Sequence, residues 1–199
     1  MIKPSILLLT FCFLFHGWII GKTTPSYYFD GQGIQKEVLE NYLDRSITVT
    51  NLLVPRKGKA QLKDDIRMIK NIGAKFLGRA ILLWENEQVL KDTLFWSNAQ
   101  TIIEELHAYD ADLVFQACLF EAVSDKVDLI EIPEWVFKEY GLKPEKRHFQ
   151  YKDMLNLEGK YVDHWHPGGS VPDISRQETQ LWFYYLACSY IPVSYTHLR

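Results

Sequence analysis

Apolar positions along the chain alternate between two rhythms. After an Asp30-Gly31-Gln32-Gly33 turn, residues 34–43 place Ile34, Val38, Leu39, Tyr42 and Leu43 at helical spacing. Residues 47–54 (ITVTNLLV) are β-branched and apolar and predict a strand. A basic loop, 55–59, follows. Residues 62–72 predict a helix with Leu62, Ile66, Ile69 and Ile72 on one face and Gly73 as its stop. Residues 75–84 (KFLGRAILLW) read as a second strand. Residues 94–109 read as a longer helix that turns Phe95, Ala99, Ile102, Ile103, Leu106 and Tyr109 inward. Residues 112–120 (DLVFQACLF) read as a third strand. The next fifty or so residues are irregular, with a short helix near 134–140 and a loop rich in Gly, Pro and His at 163–173. Residues 175–189 are a strongly apolar helix. Ser175 is its expected N-cap, and Glu178, three residues on, completes a capping box. Ile191 is expected to open a fourth strand.

Strands alternating with helices imply a parallel α/β sheet. Strands that are apolar almost throughout fit burial on both faces. Two closures satisfy this pattern. One is a small open parallel α/β sheet, doubly wound and finished within the chain. The other is a (β/α)8 TIM barrel, which typically takes about 250 residues. Three strands and the start of a fourth favour the N-terminal half of such a barrel, with the open sheet as the alternative.

The chain ends modify the domain picture. Lys3 precedes the uncharged run 6–15 (ILLLTFCFLF), the layout of a secretory signal peptide, with cleavage expected near Gly21. The run is too short for a membrane span of about 20 residues. Bulky Phe11 before Cys12 argues against a lipoprotein attachment site. Export implies a periplasmic or extracellular, oxidising setting. There Cys118 and Cys188, both in apolar segments, are expected as buried thiols. Residues 193–199 (VSYTHLR) resemble a sequencing-adapter read-through peptide that recurs at the broken ends of assembled environmental contigs. The expected division is therefore a signal peptide at 1–21, a partial barrel domain at 22–192 and a non-native tail at 193–199.

Composition narrows the function classes. Hydrophobic residues at 47% and charged residues at 24% indicate a globular chain. A net charge of -3 without a Lys/Arg run argues against a nucleic-acid partner. Aromatic content of 14% would suit Tyr and Trp lining a sugar cleft. Gly31-Gln32-Gly33 lacks the third glycine of a dinucleotide fingerprint. There is no phosphate-binding P-loop, HExxH or GxSxG motif. No cofactor or metal is expected.

The candidate chemistry gathers at strand ends. Glu121 follows the third strand and is the expected catalytic carboxylate, since barrel enzymes carry their reacting groups on the loops after the strands. Glu85 follows the second strand beside Trp84, a pairing that suits a sugar stacked on the indole. Arg79 lies inside an apolar strand, where a buried charge needs a partner, and is expected to meet a carboxylate. Gln116 lies mid-strand and needs hydrogen bonds. It and Glu121 can serve one site only if the strand ends or bulges before Glu121. Asp163, His164, Trp165 and His166 form a dense polar cluster, read as a substrate-binding loop over the site. Asp30 and Asn51 are lesser polar candidates near strand ends.

Three stretches carry a resemblance: DDIRMIKNIGAKFLGRA (64–80), HAYDADLVFQACLFE (107–121) and SVPDISRQETQLWFYYLA (170–187). Together they resemble secreted glycoside-hydrolase-like (β/α)8 proteins of polysaccharide-degrading bacteria. The resemblance implies the fold more than the activity, because no defined catalytic motif aligns with these residues. The function it implies is that of an exported carbohydrate-active protein, a glycoside hydrolase fragment acting on polysaccharide or oligosaccharide through carboxylate acid/base chemistry. The alternative is a non-catalytic sugar-binding or surface-assembly protein on the same fold.

Overall fold

The computed structural model describes residues 24–30, 32–54 and 59–194. The expected signal peptide, the basic loop at 55–58 and the last five residues lie outside them. Strands β1 (Ser46–Thr48), β2 (Phe76–Leu82) and β3 (Val114–Cys118) form a parallel sheet in the order β1-β2-β3. Helix α1 (Lys36–Asp44) precedes the sheet. Helices α2 (Lys59–Ile72) and α3 (Thr93–Tyr109) are the crossovers that parallel pairing requires. Gly73 ends α2 at φ 63°, the left-handed stop that glycine adopts without a Cβ penalty. Asp92 caps α3 by accepting from the Leu94 amide at 2.9 Å.

The strand register separates the two faces of the sheet. Ser46 aligns with Phe76, Leu77 with Phe115, and Ile81 with Ala117. One face therefore carries Ile47, Leu77, Ile81, Phe115 and Ala117, all packed into the main core with Ile69, Phe95, Ile103 and Leu106 from the helices. The other carries Ser46, Thr48, Phe76, Gly78, Leu82, Val114, Gln116 and Cys118. Ser46, Thr48 and Gln116 there are exposed, and Phe76, Leu82, Val114 and Cys118 are only half-buried. The expectation of burial on both faces is thus corrected: this sheet is packed on one face and open on the other. The helical stripes are narrower than their sequence patterns for the same reason. Val38 and Tyr42 of α1 are buried, while Ile34, Leu39, Leu43, Ile72 and Tyr109 lie at the surface.

Strand β1 stops well before residue 54. Its chain stays bonded to β2, with the amides of Val49, Asn51 and Leu53 donating to the carbonyls of Gly78, Arg79 and Ala80 at 2.9–3.0 Å. The pairing is irregular because Asn51 sits at φ 60° and because β2 bulges between Leu77 and Ile81, with Arg79 at φ 55°.

After β3 the chain forms a cap of short elements. Strand β4 (Val123–Ser124) pairs antiparallel with β5 (Gly169–Ser170), and helices α4 (Glu134–Glu139) and α5 (Tyr151–Met154) lie between them in sequence. Helix α6 (Gln177–Ser194) packs against β3, α3, α4 and α5, burying Leu181, Trp182, Tyr185, Leu186 and Tyr190. This corrects two expectations. Ile191 continues α6 and does not open a strand, because the packing that buries Tyr190 to 3% exposure carries the helix onward. The capping box is absent as well. Ser175 donates to Asp173, and Glu178 instead accepts a two-pronged bond from Arg147 at 2.7 and 2.9 Å and the Gln150 amide at 2.9 Å. A charge-assisted fork outcompetes a neutral cap. No helix among the described residues is long and apolar enough to cross a membrane.

Candidate functional site

The chain leaves β2 through Leu83 and Trp84 and turns sharply at Glu85, which adopts φ 58°. A left-handed conformation costs a residue with a Cβ roughly 1–3 kcal/mol and persists only where neighbours impose it. They do so here from both sides. The Glu85 amide donates to the carboxylate of Glu87 at 3.1 Å, and the Glu85 carbonyl accepts from Lys126 Nζ at 2.7 Å. Glu87 is itself 1% exposed and would be costly to bury unpaired. Ser124 Oγ lies 2.9 Å from each of its oxygens. With its backbone clamped, the Glu85 side chain projects outward and meets Nε2 of His166.

His166 arrives on a strap spanning residues 161–170. Tyr161 (φ 58°) and Asp163 (φ 51°) twist the strap. Its rear is held by Ser170 Oγ, which accepts from the Asp163 amide at 2.7 Å and lies 2.5 Å from the Tyr151 hydroxyl. Asp163 accepts from the Gly168 amide at 2.8 Å, so its carboxylate shapes the strap. Two glycines let side chains close in: a Cβ at Gly168 (φ 80°) would stand 2.8 Å from the Asp125 carboxylate, and one at Gly169 would stand 2.8 Å from the His166 ring, so either would push that side chain aside. Among the described residues no group of three His, Cys, Asp or Glu side chains is arranged to hold a metal ion.

Aromatic rings pack together between strap and strand ends. Trp84 lies edge-on to Trp165 at 5.1 Å, tilted to Phe120 at 5.5 Å, and stacked on the His166 ring at 6.3 Å and 23°. His164 packs edge-on against Trp165 at 4.9 Å. Trp165 remains 38% exposed. The indole nitrogen of Trp84 is buried with no acceptor among the described residues. Both ring nitrogens of His166 face oxygen acceptors: Nδ1 the Pro167 carbonyl at 2.9 Å, and Nε2 the Glu85 carboxylate. Only the doubly protonated imidazolium donates to both. Accordingly, the Pro167 carbonyl and then Glu85 raise the histidine pKa above its ordinary 6.5.

The remaining sequence candidates lie on or beside the open face. Gln116 is exposed, and its Oε1 accepts from the Arg79 amide at 3.4 Å. Asn51 accepts from the Leu82 amide at 3.1 Å and ties the end of β1 to β2. Asp30 accepts from the amides of Gln32 and Gly33, which lower its pKa; it shapes a turn well before the strand ends. Glu121 is exposed just beyond β3, so the strand does end before it. Arg79 corrects an expectation. It is exposed and belongs to no ion pair formed among the described residues. The bulge turns it out of the packed face, so it needs no buried carboxylate.

The structure thus joins Trp84, Glu85, Trp165 and His166 in one cluster, with Asp163 shaping the strap and His164 packed on Trp165. Gln116 and Arg79 stand on the sheet. Sequence reasoning missed Glu87, Ser124, Lys126 and Phe120. Glu87 reads as loop polarity in Glu85-Asn86-Glu87, and its partner lies 37 residues away, so no local pattern marks it. No family model, curated protein or solved structure matches the chain.

Proposed function

We propose that this chain is an exported carbohydrate-active protein whose sugar site is the surface formed by the strap and the end of β2 around Trp165. One observation carries the reading. A carboxylate held in a strained backbone conformation, Glu85, is paired with His166 on a wall of Trp84 and Trp165. Ligands of parallel α/β sheets bind outside the carboxyl ends of the strands, and strain of this kind gathers at functional sites. Asn51, Arg79, Glu85, Tyr161 and Asp163 are the described non-glycine residues with positive φ. Every one lies in the strap, in the β2 bulge or just beyond a strand end. A half-exposed indole offers the apolar face of a pyranose a flat surface, and the Glu85–His166 pair supplies acceptor and donor for its hydroxyls.

The finer architecture belongs to the same proposal. Sequential parallel strands, helical crossovers and an open face lined by Thr48, Gln116 and Cys118 match the first three units of a (β/α)8 barrel whose lumen is the open face. Glu121 is then the candidate catalytic carboxylate at the end of β3. Glycoside hydrolysis usually needs a pair, about 5 Å apart for retention and roughly 6.5–9.5 Å for inversion. The Glu85 carboxylate is already engaged by His166, which favours sugar binding without hydrolysis as the second reading.

A panel of plant and algal oligosaccharides, titrated into the full chain and followed by chromatography of the sugars, tests both. Binding weakened about tenfold or more by Trp165→Ala is expected. Cleaved sugars lost in Glu121→Gln support the hydrolase. Binding with intact sugars supports the lectin-like reading. Binding that survives Trp165→Ala and Glu85→Gln alike contradicts the site.

A further inference from the structure

The open face of the sheet carries a polar notch that none of the packing explains. Thr48, Gly78 and Gln116 sit abreast on β1, β2 and β3. A Cβ at Gly78 would stand 3.4 Å from Thr48 Oγ1 and 3.4 Å from Gln116 Oε1. The missing side chain therefore leaves a gap flanked by a hydroxyl and an amide, both on exposed residues. Gln116 is oriented: its Oε1 accepts the Arg79 amide, so its NH2 group is turned away as a donor. Arg79, the next residue after Gly78, emerges from the bulge at φ 55°. It cannot lie in the packed face, where Leu77, Ala80 and Ile81 are at most 3% exposed. Half-buried Cys118 and exposed Glu121 follow at the end of β3. Arg79 nevertheless enters no ion pair among the described residues. A bulge in a parallel sheet is uncommon, and bulges next to binding sites re-aim side chains. Here the bulge turns Arg79 out of the packed face, and it forms no ion pair with Glu121 or any other described carboxylate.

We infer that Arg79, Gln116 and Thr48 form an anion-recognising subsite, and that the glycan bound by this chain carries acidic groups, as uronic acid carboxylates or sulfate half-esters. The inference rests on the carbohydrate reading and deepens it by naming the substrate class. The chemistry follows from the donors. Arginine presents a planar fork that matches a carboxylate or sulfate with two parallel bonds. The Gln116 NH2 group and the Thr48 hydroxyl add neutral donors beside it. A neutral sugar would leave the guanidinium without a counter-charge.

The test is calorimetric titration of the full chain with three oligosaccharides of equal length: an oligogalacturonate, a sulfated galactan and an unsulfated galactan. At least one acidic oligosaccharide should bind about tenfold tighter than the neutral one, and the advantage should shrink as salt rises. The acidic ligand that binds identifies the source of the anion. Arg79→Gln should remove the advantage while the melting transition is retained. Arg79→Lys should recover only a small part of it, since an ammonium cannot fork. Equal binding of acidic and neutral sugars, or an advantage that survives in Arg79→Gln, overturns the inference and leaves the carbohydrate reading standing. No binding of any oligosaccharide, here or across the wider panel, overturns the carbohydrate reading itself.

Discussion

Individual residues carry the strain in this molecule, and strain is measurable. Arg79 is a non-glycine residue at φ 55° within a strand. Its replacement by glycine removes a left-handed penalty of roughly 1 kcal/mol, offset in part by glycine's larger unfolded-state entropy. Arg79→Gly should therefore leave thermal stability unchanged or raised in a calorimetric scan, although it deletes a side chain from the sheet. A marked fall would mean that the arginine has a structural partner. His166 yields a pH prediction with a definite sign. Its pKa is raised above 6.5 by the Pro167 carbonyl and by Glu85, with Lys126 opposing. A raised histidine contributes fully below its unfolded pKa and loses that contribution as pH rises through the folded value. Asp125 and Asp163 also face the strap, through Gly168. Exchange protection of the Gly168 and Gly169 amides should fall as pH rises above 6.5 in the native chain and stay flat in His166→Gln. An equal fall in both would assign the change to another group. Neither the strain nor the pairing is visible in sequence. Arg79 reads as an anomaly in an apolar run, yet its resolution by a bulge, and not by a buried carboxylate, depends on cross-strand register.

Elements were legible where their patterns are long and periodic. The helices at Thr93–Tyr109 and Lys59–Ile72 start and stop within a few residues of their expected bounds, since glycine, capping aspartate and the apolar stripe agree. Strand β1 is shorter than its β-branched run because Asn51 and the β2 bulge break the ladder. Helix α6 departs furthest, because a distant arginine takes the glutamate that would have capped it. The Arg147–Glu178 fork is the pin between α6 and the cap. Glu178 is nearly buried, at 8% side-chain exposure against 28% for Arg147. Glu178→Ala strips the guanidinium of its two-pronged partner, leaving it Glu145 and the His148 carbonyl, and strands the Gln150 amide, so it should cost about 2 kcal/mol in denaturant unfolding. A loss below about 1 kcal/mol, the range of an exposed ion pair, would place the pin at the surface.

At the scale of the whole molecule the sheet is one-sided. Phe76, Leu82 and Val114 are only half-buried on the open face, and β1 and β3 each present an edge without a partner strand among the described residues. Leu39, Leu43, Met68, Ile72 and Tyr109 add exposed apolar surface on the helices. Open edges and apolar faces drive self-association. The chain should show concentration-dependent association in sedimentation velocity, and a strictly monomeric, sharply melting species would argue that the sheet is finished as it stands. The alternating pattern of elements was readable from sequence. The face left open was not, because apolar strands read alike whether one side is covered or two.

The proposed sugar site is the exposed face of Trp165, beside Trp84, Glu85 and His166. The most direct test is the indole N–H spectrum of the nitrogen-15-labelled full chain, recorded while an acidic oligosaccharide is added. With sugar bound there, the Trp84 and Trp165 signals should move together and saturate, while those of buried Trp182 and of Trp135 on α4 stay in place. Movement confined to Trp135, or no movement at any indole at saturating sugar, would contradict it.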